Sequence, residues 1–114
     1  MILYHGTTVP RAQTICAQQK FAPYKTFLVS GDNIDLARWF AERAASRERA
    51  TPAVVKLDVE EDGLNFMRRN GLMTLSQFSD GDNPRLIGRN QWVIEAGAVD
   101  YLNRALNDIS WDFA

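Results

Sequence analysis

Apolar and polar positions along this chain change rhythm several times, and each rhythm predicts an element. Ile2-Leu3-Tyr4 opens as an apolar strand that closes on His5. Thr8 then reads as a helix cap with Pro10 tolerated in the first turn, and Ala12, Ile15 and Cys16 share one face of a helix reaching about Gln19. Phe21-Ala22-Pro23-Tyr24 is a connector. Residues 26–30 have the β-branched and aromatic content of a buried strand, which Gly31-Asp32-Asn33 ends. From Asn33 or Asp32 as cap, Ile34, Ala37, Phe40, Ala41, Ala44 and Ala45 recur at helical spacing. Asp35 lies in the first turn and Arg47 and Arg49 in the last, where their charges suit the helix dipole.

Thr51-Pro52 breaks that helix, and residues 53–59 alternate as a strand, with Val55, Leu57 and Val59 on one face and Lys56 and Asp58 on the other. Glu60-Glu61-Asp62-Gly63 reads as an acidic, solvated turn. Residues 64–89 give little signal beyond two turn clusters, Asn70-Gly71 and Ser79-Asp80-Gly81-Asp82-Asn83-Pro84. Residues 91–95 read as a central strand and residues 98–102 as another, joined across Gly97. The tail from Asn103 to Ala114 is expected to be a short helix carrying Leu106, Ile109 and Trp111. Strands outnumber helices and the helices crowd the first half. The pattern predicts one α+β domain over residues 1–114 with a mostly antiparallel or split sheet.

Composition narrows the chemistry. The 114 residues suffice for one core, and 46% hydrophobic with 24% charged residues is ordinary for a globular chain. A net charge of -1 argues against bulk attraction to nucleic acid or anionic membrane. Ten Arg against three Lys leave room for a local patch suited to bidentate phosphate contact. Cys16 is the single cysteine, so no internal disulfide forms, and a packing role is expected for it. No apolar run reaches membrane-span length and no signal-peptide layout opens the chain, so the cytoplasm is the expected compartment. There is no Gly-rich phosphate loop, no nucleophile elbow, and no His or Cys set for a metal.

The candidate chemistry starts at the lone histidine. Tyr4-His5-Gly6-Thr7 sets an imidazole, a glycine and a hydroxyl at a strand end. Further along come residues 27–30, a helix containing Ala37, Trp39 and Phe40, and then Asn90-Gln91-Trp92-Val93-Ile94, Ala98-Val99 and Tyr101-Leu102. In that order the three blocks resemble the ADP-ribosyltransferases of the diphtheria-toxin and poly(ADP-ribose) polymerase type. The resemblance implies a split antiparallel sheet and NAD as substrate. It implies His5 on a ribose hydroxyl, the Gly6 backbone on the nicotinamide carboxamide, and Thr7 as a further ribose contact. Ser30 would border the same cleft.

Two positions depart from the family's pattern. Gln91 stands where the family has its catalytic glutamate, and a carboxamide brings no charge to an oxocarbenium-like ribose. The stacking tyrosine falls at Phe27 or Leu28, of which only Phe27 offers a ring. Glu95 is a reserve for the carboxylate, although four residues of strand separate it from Gln91 by about 13 Å. Arg11 is the candidate phosphate contact, ahead of Lys20 and Lys25. Trp39, Phe40 and Trp92 are expected in the core, and Arg38, Arg43, Arg47 and Arg49 on a solvated face with Glu42 and Glu48.

The leading expectation is a small mono-ADP-ribosyltransferase acting on a protein or nucleic-acid acceptor, of the toxin or effector kind, with an antitoxin or inhibitor as its partner. The alternatives are a noncatalytic descendant that binds a nucleotide or a protein, and an unrelated α+β interaction domain.

Overall fold

Alternation along the first strand sets the layout. In β1 (Ile2–Thr8), Leu3, His5 and Thr7 point to one face, and Tyr4 and Gly6 to the other. The computed structural model describes residues 1–80 and 83–114, an α+β fold with two small antiparallel sheets. β1 pairs with β3 (Pro52–Val59), which pairs on its far side with β6 (Leu106–Phe113). In the second sheet β2 (Thr26–Leu28) and β4 (Thr74–Gln77) flank β5 (Asn90–Ile94). The sheets touch at one bridge, Tyr4 with Val29.

The helices divide between the two faces. α1 (Val9–Gln18), α3 (Glu61–Arg69) and α4 (Val99–Arg104) cover the larger core with Leu3, Leu28, Leu57, Met67, Ile94 and Leu102. α2 (Ile34–Glu48) covers the smaller one, where Leu36 and Ala37 meet Val29 and Val54. Leu57 is fully buried, so its truncation to alanine would cost about 2–5 kcal/mol. Gln19 and Arg49 close α1 and α2 in the left-handed conformation, at the ends the sequence predicts. Thr8 is the N-cap of α1, although its side chain makes no capping hydrogen bond.

Gly6 shows why one residue type is fixed. A Cβ there would run into the carbonyl oxygen of Ala37 and lie 2.7 Å from the amide nitrogen of Ala41, both backbone atoms of α2. The expected reason for glycine was ligand approach; the structural reason is close passage of a helix.

The second half of the chain differs from the sequence expectation. Residues 98–102 are not a strand: a short 3-10 turn (Ala96–Ala98) leads into α4, whose Val99 and Leu102 are buried at helical spacing. The tail is not a helix. It is β6, where Asp108, Ser110 and Asp112 alternate with Ile109, Trp111 and Phe113, and the register with β3 runs from Ala53 opposite Phe113 to Val59 opposite Leu106. Glu60 to Gly63 is not a turn either. Glu61 and Asp62 form the first turn of α3, at the positive end of its dipole. α3 and α4 therefore place two of the four helices in the second half, against the predicted crowding in the first. In the cluster from Ser79 to Pro84, Gly81 and Asp82 lie outside the described residues.

Candidate functional site

At the bridge, the Tyr4 amide donates to the Val29 carbonyl at 2.8 Å and the Val29 amide to the Tyr4 carbonyl at 2.9 Å. One residue further, β1 stays with β3 while β2 runs off with β5, and backbone pairing gives way to a side chain. His5 Nδ1 lies 2.9 Å from the Phe27 carbonyl oxygen. A carbonyl only accepts, so Nδ1 carries the proton and Nε2 keeps its lone pair as an acceptor. Burial lowers the His5 pKa from its usual value; the Phe27 carbonyl opposes that shift, and the positive Arg11 adds to it. The ring is therefore neutral at pH 7. Phe21 meets it edge-on at 5.3 Å between centroids.

The gap between the diverging strands is an open cleft of about 690 Å³. That size falls among small-molecule sites. Strand β1 supplies His5, Gly6 and Thr7, and α1 supplies Arg11 and Thr14. Phe21, Tyr24 and Lys25 come from the connector and Phe27 from β2. Trp39, Phe40, Arg43, Arg47 and Glu48 line it from α2.

Two properties define these walls. The first is aromatic: Phe27 stacks on Phe40 at 5.3 Å with rings 16° apart, and Trp39 meets Phe40 edge-on at 5.2 Å. Cations lie against this surface, Lys25 at 5.6 Å from the Phe27 centroid and Arg43 at 4.9 Å from that of Trp39. The second is charge. Among the described residues, Arg11, Lys25, Arg43 and Arg47 line the cleft and Glu48 is the one acid there, in a chain whose net charge is -1. Such a concave basic surface attracts anions that the whole molecule does not.

The structure gathers His5, Gly6, Thr7, Arg11 and Phe27 around one cleft. Leu28 is fully buried in the larger core, and Ser30 precedes a 3-10 turn (Gly31–Asn33) and does not line the cleft. Gln91 also lies apart. Trp92 pairs with Leu28, which puts Gln91 in the bridge row of Val29 and Tyr4, on the opposite face of the sheet from His5, and it does not line the cleft. Its side chain is 7% exposed and its Oε1 has no hydrogen-bond partner among the described residues. Glu95 is nearer the opening: its carboxylate is 3.7 Å from Nζ of Lys25, a cleft residue.

Spacing alone sets Arg43 and Arg47 on a solvated face and gives Trp39 and Phe40 packing roles, whereas the structure brings all four to the cleft. A signal was present, because Trp39, Arg43 and Arg47 recur at four-residue spacing beside the buried Ala37, Ala41 and Ala45. Cys16 matches its expected role. It packs against the larger core, and burial and the nearby Asp108 push its thiol pKa up, away from reactivity. No helix among the described residues is long and apolar enough to cross a membrane.

Comparisons with family models, with curated proteins and with solved structures returned no match.

Proposed function

We propose that the cleft binds NAD and that the chain is a dinucleotide-binding domain of the ADP-ribosyltransferase type. The observation that carries this reading is the neutral His5 at the point where the sheets part, its Nε2 an acceptor for a ribose hydroxyl, beside aromatic and cationic walls. The dinucleotide's rings match the surface of Phe27, Trp39 and Phe40, and its diphosphate matches the arginines.

Two chemistries are compatible with such a site. In the first, the bond between nicotinamide and ribose breaks and one ADP-ribose passes to a protein or nucleic-acid acceptor. That requires negative charge near the ribose, and Gln91 supplies none. In the second, the dinucleotide is bound and kept intact. The absence of Gln91 from the cleft lining, together with the ion pairing of Glu48 and Glu95, favours the second.

Calorimetric titration with NAD, paired with a nicotinamide-release assay, tests both. Binding without release in the wild type and in Gln91→Glu is the expected result. Restored release in Gln91→Glu would return the chain to the transferases. NAD at a hundred times its dissociation constant should add about 2.7 kcal/mol of stability, and a flat thermal profile would leave an interaction domain as the reading.

A further inference from the structure

Within the cleft, one ion pair stands apart. Arg11 Nε on α1 donates to Glu48 Oε1 on α2 at 2.6 Å, and both residues line the cleft. Glu48 is the last residue of α2, at the negative end of the helix dipole, where a carboxylate is poorly placed. The helix does not account for it there; Arg11 does. The remaining basic groups differ in their partners. Arg43 reaches Asp80 at 3.7 Å, Lys25 reaches Glu95 at 3.7 Å, and Arg47 forms no ion pair among the described residues.

We infer that Glu48 is an internal counter-ion, holding Arg11 in the empty cleft until a phosphate-bearing ligand displaces it, and so tempering the affinity of the cleft for anions. This deepens the NAD reading and rests on the same cleft. A neutral ligand gains nothing by parting the pair, since it leaves a guanidinium and a carboxylate both unmatched. A diphosphate replaces one anion at Arg11 with another of higher charge and sends the Glu48 carboxylate to solvent, where a side chain already one-third exposed is readily hydrated. Glu48 thus costs every anion some affinity at Arg11 and leaves the affinity of a neutral ligand untouched.

The test is calorimetry with inorganic pyrophosphate, adenosine and NAD on the whole chain, for wild type, Glu48→Gln, Arg11→Gln and the double variant. Freeing Arg11 from its carboxylate partner should tighten pyrophosphate about tenfold in Glu48→Gln. Adenosine should be unchanged by that substitution. Arg11→Gln should weaken pyrophosphate about tenfold, and in its background Glu48→Gln should give no gain, because the gain runs through Arg11.

Unchanged or weaker pyrophosphate binding in Glu48→Gln overturns the inference. So does a gain that persists without Arg11, or pyrophosphate binding to neither wild type nor Glu48→Gln. The two proposals fail separately. Arg11-dependent pyrophosphate binding without NAD binding sinks the NAD reading alone. NAD binding with Glu48→Gln inert sinks the counter-ion alone.

Discussion

The bridge row of Tyr4, Val29 and Gln91 contrasts with the rows beyond it, where β1 and β2 part into a cleft. Gln91 and Val29 belong to the bridge row, where the Gln91 carboxamide oxygen is buried without a partner among the described residues. His5 and Phe27 belong to the open side, where an imidazole takes over the hydrogen bond that backbone pairing no longer supplies. His5 sits one residue along β1 from the bridge and on the other face of the pleat, while Phe27 keeps the face of Val29 two residues along β2. Chemistry-bearing side chains are useful where the ladder stops, because there a polar group is held by the protein on one side and still has an open side.

The sharpest way to break this contrast is Gly6→Ala. The added methyl would press on α2 backbone that cannot yield, so a loss of about 3 kcal/mol is expected in chemical denaturation. Wild-type stability in that variant would mean α2 does not pass so closely, and the cleft wall would need redrawing. Next comes His5→Phe, which keeps the ring against Phe21 and leaves the Phe27 carbonyl unpaired. It should cost about 1–3 kcal/mol and remove NAD binding. Gln91→Met tests the bridge row and should have the opposite sign, raising stability by about 1 kcal/mol without altering NAD affinity. A fall in affinity there would bring Gln91 back to the site.

Smaller effects sharpen the picture. The His5 pKa is lowered in the folded state, so between that value and the ordinary histidine range only the unfolded chain takes up the proton. Stability is therefore fully present above about pH 6.5 and declines as pH falls toward the folded-state value. His5→Asn, which retains a donor near the Phe27 carbonyl, should lose that part of the pH dependence in denaturation titrations. Smallest of all, Arg11→Gln should change stability by less than about 1 kcal/mol, since the pair is partly exposed. Its effect belongs to binding.

Much of the first half was legible in the sequence because local rules and tertiary context agree there. The helix of residues 34–48, the strand of residues 52–59 and the turn at Gly31 all follow from spacing and breakers. In the second half the two conflict. Ala98, Val99 and Leu102 carry a helical spacing inside a β-rich composition, and the strict alternation from Asp108 to Phe113 was masked by the three-residue spacing of Leu106 and Ile109. Pairing with β3 decides the tail, because β3 would otherwise leave a row of backbone donors and acceptors unmatched.

By itself the sequence determined the α+β class, the limits of the long helix and the structural role of Cys16; the first strand, expected to close on His5, runs on to Thr8 because Gly6, Thr7 and Thr8 also pair with β3. Tertiary structure alone decided which of these residues share a space. Periodicity says which face a side chain takes within its own element, whereas the point at which two sheets part depends on which distant strands claim each backbone. That parting sets His5, Arg11, Arg47 and Glu48 around one opening and leaves Gln91 out of its lining.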